Sequence, residues 1–154
     1  MGAGVETSCT SAEVRVFVDT NLWAYRLDQR EPDKAQRIGV WLRALAEDHE
    51  IVVSTQVLVE LRSVLTRKLK PALSHADTLR ALTAVTSFEV VATDQHLVLD
   101  AHELAQREQL SWFDALIVEA AIRSGCAVIY SEDLSHGRQY AGLRACNPLL
   151  ASDA

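Results

Sequence analysis

Short apolar runs rich in β-branched residues recur along the chain, at VRVFV (14–18), IVV (51–53), FEVV (88–91) and AVIY (127–130). Each is too short for a helix and suits a pleated, buried backbone, so each predicts a strand. Between these runs the period changes. Ile38, Trp41, Leu42 and Leu45 recur at helical spacing and predict one apolar face; Leu58, Leu61 and Leu65 predict a second. Pro71 and Ser74 separate that helix from another, on which Leu79, Leu82 and Val85 repeat. Leu97, Ala101, Leu104 and Ala105 mark a further helix, and Leu116, Ile117, Ala120 and Ala121 one more, stopped by Gly125. Strands alternating with helices, with no evident hairpin turn, predict a parallel sheet covered by helices on both faces.

Composition narrows the class. A chain of 154 residues is most simply one domain with a sizeable core. Hydrophobic residues make up 49% and charged ones 23%, with only three prolines, which argues against disorder. No apolar run approaches the roughly 18–20 residues that span a bilayer. The first residues, MGAGVETSCTSAEVR, lack the basic-then-apolar order of a secretory signal, and Glu6 stands where myristoylation wants a hydroxyl residue. The expectation is a flexible extension over 1–13, one domain over 14–150 and a short tail over 151–154. Cys9, Cys126 and Cys146 are odd in number, widely spaced and free of any CxxC pair, so they are expected as free thiols in a reducing cytoplasm. The net charge of −6 restricts nucleic-acid binding to a local basic patch or to bound cations, and counts against a DNA-coating role.

Candidate chemistry lies just past the strands, where open parallel sheets bind ligands. Asp19 directly follows the first strand. Glu60 lies about two turns into the helix after the second, within STQVLVELRSVL. Asp114 is in the first turn of the helix opened by LSWFDALIVEAA, and Glu132 and Asp133 follow the fourth strand in IYSEDLSHG. Each also has an ordinary structural role open to it. Asp19 is a natural helix cap, and Ser111 to Asp114 has capping-box spacing. Glu60 suits a solvated helix face and Asp133 a turn. Four carboxylates drawn into one crevice would resist ionisation together, a cost that a hard divalent cation relieves. Such a cation also makes bound water acidic enough to attack a phosphodiester in line.

The blocks VDTNLW (18–23), VELRSVL (59–65), WFDALIVEAA (112–121) and YSEDLSHG (130–137) resemble those of PIN-domain ribonucleases, in particular VapC-type toxins of toxin–antitoxin pairs. The likeness spans about residues 14–150. It implies a three-layer α/β/α fold with a central parallel sheet of four to five strands. It also implies a Mg²⁺- or Mn²⁺-dependent endoribonuclease, a homodimer, an RNA substrate and neutralisation by a cognate antitoxin. By resemblance, Asp19, Glu60, Asp114 and Asp133 fall on the family's acidic metal positions, with Asn21 and Ser131 as their supports. Glu132 adjoins Asp133 and is an alternative for the fourth position.

Basic residues Arg62, Arg67, Lys68 and Lys70 lie near Glu60 and are candidates to contact RNA phosphates or an acidic antitoxin segment; a solvated helix end explains them equally well. Arg138 and Arg144 are further candidates. Trp41 reads as core from its helical phase, and burial is also the better expectation for Trp23 and Trp112 over a base-stacking role. The five histidines lack zinc spacing, with His136 alone close enough to Asp133 to reach substrate. An aspartyl phosphatase is disfavoured because Asn21 stands where its general acid belongs. A receiver domain is disfavoured by the absence of paired acids before a strand end and of a late lysine. A PIN-like module that binds RNA or protein without cutting, and a nuclease of RNA maturation, remain the rival readings.

Overall fold

The computed structural model describes residues 12–150. The expected extension and tail therefore lie largely outside the described residues. The four apolar runs form strands β1 (Arg15–Val18), β2 (Glu50–Ser54), β3 (Glu89–Val91) and β4 (Val128–Tyr130). Two more follow, β5 (Gln139–Tyr140) and β6 (Leu143–Cys146). The helices are α1 (Thr20–Tyr25), α2 (Pro32–Asp48), α3 (Thr55–Ser63), α4 (His75–Val85), α5 (Gln95–Glu108) and α6 (Trp112–Arg123). A π-helical turn over Val64–Lys68 extends α3.

The sheet order is β3-β2-β1-β4-β6-β5. Five strands run parallel, and only β5 is antiparallel, paired with β6. The expected count of four to five parallel strands holds for that set, but the whole sheet has six. The hairpin of β5 and β6 overturns the expectation of none. Its turn is Ala141-Gly142, with Ala141 at a φ of 54°, so the positive φ that such turns need falls on alanine and not on the usual Asn-Gly signal.

Connections rise from β1 outward to β3, then cross back to β4 on the other side of β1. Right-handed crossovers in opposite directions place the two sets of helices on opposite faces. Accordingly α5 packs extensively against α6, while α1 touches α2 and α3, and α3 touches α4. The central strands are buried on both faces: Val16, Phe17, Val18, Val52 and Val53 are all fully enclosed. Ile38, Trp41, Leu42 and Leu45 of α2 join them, with Trp41 edge-on to Tyr130 at 5.0 Å.

Helix starts follow local chemistry. Ser54, Ser74, Asp94 and Ser111 each accept a backbone N–H of the first turn of α3, α4, α5 and α6. Gly125, at a φ of 76°, lies just past the end of α6 as expected. Leu79 departs from expectation. It is exposed, whereas Val85 is buried and Leu82 packs against the core. Three-residue steps drift by about 60° each on a helix of 3.6 residues per turn, so Leu79 swings away from the face Val85 occupies. Cys126 is a buried free thiol, but Cys146 is disulfide-bonded, against the expectation of a free thiol.

Candidate active site

The strand order reverses between β1 and β4, which opens a crevice at their carboxyl ends. Val18 pairs with Tyr130 at the last rung, and the Asp19 N–H donates to the Tyr130 carbonyl at 3.0 Å. The sheet thus delivers Asp19 beside the segment Ser131-Glu132-Asp133. Asp19 does cap α1, accepting the Thr20 N–H at 2.6 Å, yet its second oxygen faces elsewhere. Asp19 Oδ2 accepts the Ser131 hydroxyl at 2.8 Å, and the same hydroxyl oxygen accepts the Asp133 N–H at 3.1 Å. One fully buried serine therefore couples the two segments.

Glu60 and Asp114 arrive on two helices. The Gln56 amide nitrogen donates to Glu60 Oε1 at 2.8 Å and to the Phe113 carbonyl at 3.2 Å, which ties α3 to the first turn of α6. Phe113 is the residue before Asp114. The Asp114 N–H in turn donates to the Ser111 hydroxyl at 3.3 Å, so the capping interaction is also real.

Electrostatics link the four acids. Burial pushes the Asp19 carboxyl up from 3.8 to about 6, and the charges of Asp133 and Glu60 push the same way. The Ser131 and Thr20 hydrogen bonds oppose that rise. Glu60 is raised by burial and by Asp114 and Asp133, against the Gln56 hydrogen bond and the Lys68 ammonium. Asp114 is raised by burial and by Asp133, against a hydrogen bond from Ser111. Asp133, itself exposed, thus acts on all three of the others. Among the described residues, none of the four forms an ion pair with a basic side chain.

The remaining candidates divide. Glu132 accepts the Tyr25 hydroxyl, which draws it toward α1. Burial first, then that bond, holds the Tyr25 phenol well above its ordinary range. Asn21 is half-buried in the first turn of α1. Lys68 is exposed and close enough to Glu60 to lower it, while Arg62 and Arg67 are exposed on the same segment. Arg138 is committed to the Glu108 carbonyl at 2.5 Å and sits over the Tyr140 ring. His136 accepts the Asn147 N–H at 2.9 Å through Nδ1. Trp23 is buried as expected, but Trp112 is 40% exposed and Phe113 62%, so burial does not hold for Trp112. Gln56 and Tyr25 were not foreseen. Only the four-residue spacing of Gln56 from Glu60 on an otherwise apolar helix offered a signal.

A hollow of about 650 Å³ lies away from this crevice. It lies among α1, α2 and α4 and is lined by residues such as Trp23, Leu42, Val85 and Phe88. Chemistry, not volume, marks the acidic crevice as the candidate site.

Carboxylates raised first by burial and then by one another's charge suit a hard divalent cation. Among the described residues, no three His, Cys, Asp or Glu side chains close into a tight cage. Mg²⁺ tolerates this, because it keeps several waters and takes only one or two carboxylates directly. The donor set therefore fits a hydrated hard ion better than a dehydrated one such as structural zinc.

The sequence profile of the PIN domain matches residues 16–141. No curated protein matches the chain. Among solved structures, Mycobacterium tuberculosis VapC20, a toxin that cleaves the sarcin–ricin loop, is similar with a TM-score of 0.56 and 23% identity, covering 74% of this chain and 86% of that one. VapBC2 of Rickettsia felis, bound to a promoter DNA fragment, is similar with a TM-score of 0.59 and 18% identity over 85% of this chain and 96% of that one. A toxin–antitoxin complex from Klebsiella pneumoniae gives 0.60 and 16% over 83% and 94%. At these identities the three likenesses establish a shared fold.

Proposed function

Because the chain belongs to the PIN-domain family, we propose that it is a divalent-cation-dependent endoribonuclease and the toxin of a toxin–antitoxin pair. One observation carries this reading. At the sheet's switch point, burial and the charges of neighbouring acids raise Asp19, Glu60 and Asp114, with Asp133 acting on all three, and among the described residues none of the four is ion-paired to a basic side chain.

In this reading Asp19, Glu60, Asp114 and Asp133 would hold Mg²⁺ or Mn²⁺, directly or through its waters. Asp133 takes the fourth position, because the Tyr25 hydroxyl engages Glu132. The bound cation supplies positive charge against a phosphodiester and a water acidic enough to attack it. Ser131 holds Asp19 by one oxygen and leaves its loop fixed beside Asp133. Asn21 supports the same turn from α1. Lys68, with Arg62 and Arg67 further along the surface, draws RNA phosphates toward the acids. Without a cation, the ionised carboxylates would repel the RNA.

The toxin assignment rests on the likeness to VapC20 and to two toxin–antitoxin complexes. It carries with it a cognate antitoxin, a homodimer and action in the cytoplasm. Expression of the chain in a bacterial host is expected to arrest growth, and co-expression of the neighbouring reading frame to relieve the arrest. Mapping the RNA ends that appear on induction identifies the target. Arrest without new RNA ends, or ends that persist with Asp19→Asn, would overturn the assignment.

A further inference from the structure

Gln56 is nine-tenths buried and spends both donors of its amide on the acidic site, one on Glu60 Oε1 at 2.8 Å and one on the Phe113 carbonyl at 3.2 Å. Because both partners are acceptors, the orientation of the amide is fixed: the nitrogen faces them and the oxygen faces away. That oxygen is buried and has no hydrogen-bond partner. A buried orphan acceptor is costly and calls for an explanation. An apolar side chain of similar length would pack the same space without it. Glu60 is half-exposed and would be hydrated in its absence, so folding alone does not demand the amide.

The explanation lies in what the two bonds join. Glu60 belongs to α3 and Phe113 precedes Asp114 in α6, so a single neutral amide spans two acid-bearing helices. We propose that Gln56 is a positioning residue, which sets Glu60 relative to Asp114 so that both carboxylates meet one hydrated divalent cation. This rests on the cation-dependent reading above. Neutrality is central to the role. An arginine or lysine at the same place would pair with Glu60 and compete with the cation, whereas an amide orients Oε1 and leaves Oε2 uncommitted. Partners that orient metal ligands in this way typically contribute about 10- to 100-fold in metal affinity.

The test is calorimetric titration of Mn²⁺ into the full chain, wild type against Gln56→Met, with thermal unfolding of both measured in EDTA and in saturating Mn²⁺. Met keeps length and burial but donates nothing. Mn²⁺ affinity is expected to fall at least about ten-fold, with the unfolding midpoint in EDTA within a few degrees of wild type and the Mn²⁺-induced rise in midpoint reduced. Gln56→Asn, whose amide is one methylene too short to reach both acceptors, is expected to lose affinity as well, and serves if the Met variant does not fold. Unchanged Mn²⁺ affinity in either variant overturns the proposal. So does a lower midpoint in EDTA with an undiminished Mn²⁺-induced rise, the mark of a purely structural residue. A wild-type chain that takes up no Mn²⁺ removes the underlying reading as well, which separates the two failures.

Discussion

The two ends of the sheet treat carboxylates in opposite ways. At the amino ends, Arg15 of β1 reaches Glu50 of β2 at 3.1 Å and also pairs with Glu89 of β3. One guanidinium thus neutralises the acids of two neighbouring strands, in partly exposed positions where such pairs contribute little to stability. At the carboxyl ends, Asp19 is buried against Ser131 and feels the charges of Asp133 and Glu60, and among the described residues no arginine or lysine is ion-paired to these acids or to Asp114. The same fold supplies a counterion where charge is only structural. It withholds one at the acids that, in the proposed reading, receive an external cation.

Breaking the unneutralised end should have the largest effect. Asp19→Asn is expected to lower RNA cleavage by about 10³-fold, since several kcal/mol of charge stabilisation go with it and each 1.36 kcal/mol is a factor of ten. A cleavage assay on purified protein reads this directly. The same substitution should stabilise the metal-free fold. Asp19 is held at about 6 against an ordinary 3.8, so its ionisation in the folded state costs about 3 kcal/mol above pH 6. Because the folded pKa is the higher one, wild-type stability in EDTA is expected to fall as pH rises from about 4 to about 6, and Asp19→Asn to lack that fall. Urea unfolding across this range compares the two.

Ser131→Ala leaves every carboxylate in place but frees Asp19 Oδ2 and the Asp133 N–H. Its expected cost is about ten-fold in activity, within the range for partners that orient metal ligands, and Mn²⁺ affinity should weaken alongside it. The smallest effect belongs to the opposite end. Arg15→Met is expected to change stability by at most about 1 kcal/mol and cleavage not at all. A large loss of activity from Arg15→Met would erase the contrast between the two ends.

Much of this was legible before the structure, for physical reasons. Strands buried on both faces write themselves as continuous apolar runs, which is why β1, β2 and β4 stand out, while the partly buried edge strand β3 shows through its β-branched residues. The acids stand out because they interrupt such runs or follow them at once. The β5–β6 hairpin did not, because Leu143–Cys146 is short, carries Arg144 in its middle and turns through Ala-Gly. Leu79 lies outside the core because a three-residue repeat drifts around a helix. Trp112 was expected inside because aromatic bulk argues for burial, yet it opens α6 at the edge of the crevice. Gln56 and Tyr25 carry no formal charge and no motif, and their importance lies in contacts to distant residues that only the folded chain brings near.

The most direct test of the central claim is RNA cleavage by the purified chain in Mg²⁺, after EDTA, and after Mg²⁺ is restored, with Asp19→Asn beside it. The account predicts cleavage in Mg²⁺, none in EDTA, recovery on restoration, and little with Asp19→Asn under any condition. Cleavage that continues in EDTA, or that Asp19→Asn retains in full, would contradict it.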